Sequence, residues 1–502
     1  MLNRFNLVRE KWIPIAGGSR VSLMDIFTDP SIGHVGGTAV QKLAILKLLL
    51  AIAQTANIPC DEHDWEKLQP TGLATACKEY LEMHEECFWL YGTTPFLQFP
   101  RLHDLADKTD ITSIGATYIP DLQSSNDTIL FQSQTSRPQT DAEKAVFLVT
   151  LMNYALGGKR TAKKIPPLTK EYAGKGSTSK PGPSIGNYTG YLNSHLLGQS
   201  LWETIWVNLF TQEELNTIQN GWGNLEQPPW EKMPQGEDDE IARKYKTSYL
   251  ATLCALSRFV LFTDEGGIIY AEGIQYPTIK EGWIDPFLSI NSEQKTLYAD
   301  VNKRPWRSLP ALLGTAFNAS GKEFFPCKQI SSHIFRTQQV CPFVGIWSGG
   351  LQIRGQAGDF SIKQNDDFIE SSVFIKSSCI ETTWFAALNK EMMDLDKKSK
   401  ILFAAVKAYY NEKNTRAHSE VAQYSFWSAC EQHFPKLIEA CDEDADPEDL
   451  HDIQEVFWKI VMDIYTMSCP AETANQIRRW ARNEPKKPRP TFYLAKEDSN
   501  GK

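Results

Sequence analysis

From about residue 380 onward the apolar residues of this chain recur at helical spacing, and upstream they do not. Leu450, Ile453, Val456, Phe457, Ile460, Val461 and Ile464 share one face of a helix. Asp446 stands at the N-cap position, with Pro447 at the first helical position and Glu448 and Asp449 in the first turn. Lys400–Tyr410, Ser419–Phe434 and Ala471–Arg482 show similar spacing. Four helices with short joints predict an antiparallel four-helix bundle over residues 379–502, ending in a basic, Pro-rich tail, Arg478–Arg489.

Residues 1–378 read differently, as one mixed domain of irregular topology, so the expected fold class is α+β. RFNLVREKWIPI suggests a strand or extended arm closed by Pro14. Thr38–Thr55 reads as a buried helix, Trp65–Leu90 as a second helical region, and Thr93–Pro100 as an aromatic turn. Residues 105–142 have the Ser, Thr, Gln and Asp content of a long exposed loop. Ala142–Leu156 reads as a helix stopped by Gly157 and Gly158. Short β-like runs follow at Phe259–Phe262, Gly267–Ala271 and Val373–Lys376.

Composition narrows the function. The chain has 502 residues, 42% hydrophobic and 23% charged, enough to bury a large core without staples. Its ten cysteines form no CxxC pair, which argues against a zinc ribbon or redox motif and fits a reducing cytosol. The N-terminus carries no secretory signal pattern. The most apolar stretch, Leu43–Ile52, contains Lys47 and falls short of the roughly 20 residues of a membrane span. A cytoplasmic protein without a membrane role is expected. The net charge of −9 means that any nucleic-acid role rests on local basic patches or on partners.

Catalytic signatures are sparse. HExxH and Walker A motifs are absent from the sequence. Gly157-Gly158-Lys159-Arg160-Thr161 resembles a phosphate loop loosely, but Asn153 stands where its first glycine belongs and Arg160 where Ser or Thr would follow the lysine. The pairs His63-Asp64, His103-Asp104 and His451-Asp452 lack further ligands at metal-binding spacing. The acidic run Cys441–Asp452 lacks the spacing of a calcium loop and reads as a solvated helix start. No cofactor and no metal are expected.

Two segments suit DNA. Gly157–Lys180 holds Lys159, Arg160, Lys163, Lys164, Lys170, Lys175 and Lys180 against one acid, Glu171, for a local charge of +6. Glycine lets a backbone approach a ligand closely, and the cations neutralise phosphates. By composition the segment divides evenly between groove reader and basic linker. The second, Gly349-Gly350-Leu351-Gln352-Ile353-Arg354-Gly355-Gln356-Ala357, reads as a hairpin tip or tight turn carrying amide and guanidinium groups.

At these residues the chain resembles the CasA family, the large subunit of the type I-E CRISPR Cascade complex. The matching features occur in order: Trp12-Ile13-Pro14 after Asn6-Leu7, the apolar helix Leu43–Gln54, Phe88–Gln98 ending in PFLQ, the polar loop, the glycine loop, Gly282-Trp283, the GG…QA turn and the helical C-terminus. The resemblance covers essentially the whole chain. It implies a non-catalytic subunit of an RNA-guided antiviral complex that recognises the protospacer-adjacent motif in double-stranded target DNA, largely from the minor groove. It also implies help in starting strand separation for R-loop formation, contacts with other Cascade subunits and guide RNA, and recruitment of a separate helicase–nuclease.

Carried over by position, the resemblance places the glycine loop at Gly157 and Gly158, followed by Lys159 and Arg160, with Lys163 and Lys164 on phosphates. It places a glutamine wedge at Gln356, with Gln352 and Arg354 as alternatives. A lysine on a β-hairpin finger maps near Gln275, with Lys280 the nearest lysine. The loop that meets the motif and the RNA end maps to Leu130, Phe131 and Gln132. The cysteine-rich zinc patch of some members has no counterpart in this sequence. Two other readings stay open: a hydrolase using the His-Asp pairs or acidic run, which a metal-dependent cleavage assay would reveal, and a scaffold that binds only protein or guide RNA.

Overall fold

The helix Ala39–Ala56 (α1) is apolar on every side, and a helix of that kind needs burial all round. Thr38 caps it in a capping box with Gln41. The computed structural model describes residues 3–106, 111–113, 123–124, 139–154, 190–218, 225–236, 239–264, 266–274, 276, 277, 279, 282, 285–352, 361, 362, 367–411 and 415–487. Within them α1 has 18 residues and matches the buried helix read over Thr38–Thr55 to within a residue at each end. By length and composition it could cross a membrane, yet it is mostly buried as a core helix.

Lys47, in the middle of α1, is fully buried. Its Nζ lies 2.9 Å from Asp285 Oδ2, itself buried, and 4.7 Å from the centre of the Phe287 ring. Near the helix end, Gln54 donates to the Phe210 carbonyl at 2.7 Å and accepts from Phe210 N at 3.2 Å. These polar side chains on an apolar helix tie it to distant backbone.

The chain divides into two compact units, Met1–Ile380 and Glu381–Lys502. In the first, the helix Glu62–Met83 (α2) breaks at Gln69, whose φ of 53° precedes Pro70. Trp65 of α2 stacks on Trp206 at 4.1 Å, and each indole N–H donates to the other's backbone carbonyl. The helix Asp141–Asn153 (α3) packs on α1. It stops short of the glycine pair because Asn153 turns its side chain to Leu253 O and Ala255 N.

Two three-stranded antiparallel sheets accompany these helices. In one, Phe343–Leu351 (β4) lies between Asn193–Leu197 (β1) and Phe368–Lys376 (β5). In the other, Gly267–Glu272 (β3) lies between Arg258–Phe262 (β2) and the short strand Thr112–Ser113. Gly349 and Gly350 sit inside β4, not at a turn. A Cβ on Gly349 would come 2.5 Å from the Trp347 ring, and one on Gly350 2.4 Å from the Tyr191 carbonyl oxygen. Close packing, rather than a tight bend, requires both glycines. Gln98 of the PFLQ turn donates to Leu90 O and accepts from Phe262 N, joining that turn to β2.

The second unit is helical, so the architecture is α+β with a helical C-terminus. It comprises Thr382–Tyr410 (α4), Thr415–Glu431 (α5), the short Phe434–Ala440 (α6), Pro447–Ser468 (α7) and Ala474–Asn483 (α8). The first helix begins well before Lys400. The charged stretch Asp394–Lys400 masks its apolar period, while the i,i+4 pairs Asp394–Lys398 and Asp396–Lys400 follow the helical surface. Asp446 caps α7 by accepting from Glu448 N at 2.9 Å. Ile453, Phe457, Val461 and Ile464 are buried on the face that their spacing predicted.

Candidate nucleic-acid interface

Most residues nominated from the sequence lie outside the described residues. These are Leu130, Phe131, Gln132, Gly157, Gly158, Lys159, Arg160, Lys163, Lys164, Gln275, Lys280, Arg354 and Gln356. What the structure describes is the chain on either side of each segment, and those flanks are linked to one another.

Residues 155–189 leave α3 at Tyr154 and return at Gly190. Gly190 lies against the end of β4, where an added Cβ would fall 1.6 Å from Leu351 O. The Gly190 carbonyl accepts from Ala299 N at 2.9 Å. Two residues past β4's Gly350, Gln352 begins the segment that carries Arg354 and Gln356. The far flank of the glycine-rich segment and the near flank of the GG…QA segment are therefore in direct contact.

The other flanks meet in the same manner. Near the end of α3, Met152 O accepts from Ser257 N at 3.0 Å, and Leu256 O accepts from Ile274 N at 3.0 Å. Ile274 immediately precedes Gln275, so the strap Leu253–Ser257 joins the start of one segment to the start of the other. At the far side Asp285 is held by Lys47, and Phe287 O accepts from Ser194 N of β1 at 2.9 Å. Within the polar region, Gln123–Ser124 pairs in parallel with Ser361–Ile362, just beyond the GG…QA segment.

Gln352 is buried. Its Oε1 accepts from Val301 N at 2.7 Å, and its own N–H donates to Asp367 O at 2.8 Å. This side chain closes the end of β4 and is turned into the protein, an anchoring position rather than a presented one.

The sequence reading passed over an aromatic pair at this junction. Tyr191 and Tyr298 form an isolated antiparallel bridge, and their rings stack at 5.7 Å. Tyr298 is 50% exposed. Burial, and then the neighbouring Tyr298, push the Tyr191 hydroxyl up to about 12, so it stays protonated at neutral pH. A lone Tyr flanking a glycine-rich stretch carries no sequence signal; its partner is more than a hundred residues away.

The His-Asp pairs lie at the surface, and Asp64 holds a hydrogen bond with the Cys60 side chain. His103 and Asp104 are both exposed, with Nδ1 3.3 Å from Oδ1, and His63 and His451 are exposed as well. Among the described residues no group of three or more His, Cys, Asp or Glu side chains is placed to hold a metal ion. A cavity of about 260 Å³ in the first unit's PFLQ region is lined by Thr94, Pro95, Gln98, Arg101, Trp230 and Glu231.

The packed α+β body thus brings the described flanks of four distant segments together, and a helical unit follows it in sequence. The chain belongs to the CRISPR-associated protein Cse1 family, whose family model matches residues 6–464. Solved structures of similar fold include Thermobifida fusca Cse1, at 18% identity and a TM-score of 0.73, covering 95% of this chain and 96% of that one. Thermus thermophilus CasA is similar at 18% identity and a TM-score of 0.67, covering 96% and 98%. A chain of a CRISPR RNA-guided surveillance complex is similar at 15% identity and a TM-score of 0.69, covering 95% and 98%. No curated protein sequence matches this chain significantly.

Proposed function

We propose that this chain is the large subunit of a type I-E Cascade complex and that it reads the protospacer-adjacent motif in duplex DNA. It assembles with the other Cascade subunits and guide RNA, and it carries out no bond-breaking step itself. Gly157 and Gly158 approach the minor groove by their backbone, while Lys159, Arg160, Lys163 and Lys164 neutralise phosphates. Gln356 enters the base stack below the motif and spends a few kcal/mol of unstacking, on the order typical per step, to nucleate guide pairing. Gln275 or Lys280 occupies the finger position, and Leu130, Phe131 and Gln132 meet the motif and the RNA end. Once the target is open, the subunit recruits a separate helicase–nuclease.

The observation that carries this reading is the linkage of the flanks: Gly190 against Leu351, Met152 and Ile274 on the strap Leu253–Ser257, and Gln123–Ser124 beside Ser361–Ile362. A groove reader and a wedge need a fixed separation to act on adjacent base pairs, and shared anchors supply it. Assembling the complex with and without this chain tests the reading. Target-duplex affinity and motif preference should both fall without it; equal values in the two preparations would sink it. Gln356→Ala should slow strand opening, read by a fluorescent base at the first target position, while leaving motif-dependent encounter intact.

A further inference from the structure

The last described helix, α8, turns a basic face outward. Between Ala474 and Lys487 the sequence holds five cations, Arg478, Arg479, Arg482, Lys486 and Lys487, and one acid, Glu484, in a chain whose overall charge is −9. The family model's match ends at residue 464, before this helix begins.

The helix is well held within its own unit. Thr473 caps it in a capping box with Gln476, whose Oε1 also accepts from Glu472 N at 3.1 Å. Gln476, Trp480 and Asn483, at i, i+4 and i+7, are its half-buried positions and form the face that packs inward. The Trp480 ring lies 5.6 Å from that of Tyr465 on α7, and the Tyr465 hydroxyl donates to Trp480 O at 2.9 Å. Beyond the helix, Pro485 is buried and Lys487 pairs with Glu455 of α7.

Helical geometry then fixes where the cations stand. Arg478 and Arg482 each lie two residues from Trp480, so they share the opposite face, one turn apart. Arg479 lies nearer the packed side and acts on Tyr409 of α4. Arg478, Arg479, Arg482 and Lys486 are all exposed. Among the described residues no carboxylate pairs with any of these four side chains, whereas Lys487 is taken by Glu455.

A face of this kind suits phosphate. Guanidinium forks bind phosphate oxygens bidentately and keep their charge at any physiological pH. Single-stranded nucleic acid is held by cations together with aromatic rings on which its bases stack. The one aromatic side chain of α8 is turned inward against Tyr465, with its indole nitrogen enclosed, so the outer face offers charge without a stacking platform. That matches the outside of a duplex, which presents phosphates while its bases stay stacked within.

We propose that Arg478 and Arg482, with Lys486 beyond them, bind the phosphate backbone of duplex DNA. This rests on the reading of the chain as a subunit that engages a target duplex. The contact anchors the duplex to the helical unit and adds affinity irrespective of base sequence, because phosphates carry no sequence information.

The test is a complex assembled with the Arg478→Ala/Arg482→Ala chain, titrated between about 50 and 200 mM salt with a duplex that bears the motif and with one that lacks it. Loss of two phosphate contacts should make the slope of log affinity against log salt shallower by roughly 2 for both duplexes, with motif preference unchanged. Arg478→Lys/Arg482→Lys should keep the wild-type slope, and Arg478→Glu/Arg482→Glu should weaken both duplexes further than alanine does. Unchanged slopes in the alanine and glutamate variants overturn the proposal. Release of guide RNA or of another subunit with the DNA slope intact also overturns it, and makes RNA or protein the partner of this face. If omitting the whole chain leaves duplex binding untouched, the underlying functional reading fails and the proposal with it. If omission abolishes motif-dependent binding and the double variants behave as wild type, the functional reading stands and the helix face alone fails.

Discussion

Replacing Gly190 by alanine should separate the two segments that the proposed function requires to act together. The added Cβ would lie 1.6 Å from Leu351 O, whereas real Cβ atoms stay at least 3.0 Å from such neighbours, so the two backbones must part by about 1.4 Å. Leu351 cannot yield easily, because β4 is paired along its length to β5 and, over Gly345–Gly349, to β1. Gly190 must move instead, which stretches its 2.9 Å hydrogen bond from Ala299 N beyond bonding distance. Overpacking of this kind costs about 1–3 kcal/mol and a lost buried hydrogen bond about 1 kcal/mol, so a total of about 2–4 kcal/mol is expected. Urea unfolding of the variant chain measures that cost. Duplex titration of the assembled complex then measures function, with motif preference expected to fall more than motif-independent binding, because only the spacing of groove reader and wedge has changed. A variant within about 0.5 kcal/mol of wild type, with full motif preference, would refute the argument that contact between these flanks sets the geometry.

Lys47→Met should cost about 3–5 kcal/mol, because Asp285 is left buried without its cation, while Lys47→Met/Asp285→Leu should recover most of that loss in the same denaturant titration. Gln352→Ala should lower stability by about 1–3 kcal/mol by leaving the part-buried Val301 N without its acceptor, and its unfolding midpoint should drop while strand opening by the folded complex is retained. His195 is buried between Trp347 and Phe287, and burial lowers it from 6.5 to about 4. The unfolded chain therefore takes up a proton between those values that the folded chain refuses. Stability should be fully present above pH 6.5 and decline, by on the order of 3 kcal/mol from this residue, as pH falls toward 4. His195→Phe should flatten that part of a stability–pH profile. His333, also held neutral by burial, leaves a remainder.

Much of the helical structure was legible before any coordinates. The spacing of Ile453, Phe457, Val461 and Ile464 and the Asp446-Pro447 start required only neighbours within one helix, and the structure buries that face and uses that cap. Thr38 and the apolar run after it likewise predicted a buried helix, because capping and all-round apolarity are local facts. The readings that missed involved distant partners. Gly349 and Gly350 looked like a turn, since glycine pairs in sequence punctuate chains; they lie in a strand because the Trp347 ring and Tyr191 backbone leave no room for a side chain. The helix from Asp141 ended early because Asn153 found its partners a hundred residues away.

The same division applies to the candidate interface. Sequence alone determined which segments bear glycine, cations and amides, and their order along the chain carried the family resemblance, because composition and order are properties of the chain itself. Only the tertiary structure decided that Gly190 meets Leu351 and that Gln352 turns inward to Val301. Those facts depend on a hydrogen bond across 51 positions, Val301 to Gln352, and on steric exclusion across 161, Gly190 to Leu351, about which local periodicity and composition hold no information.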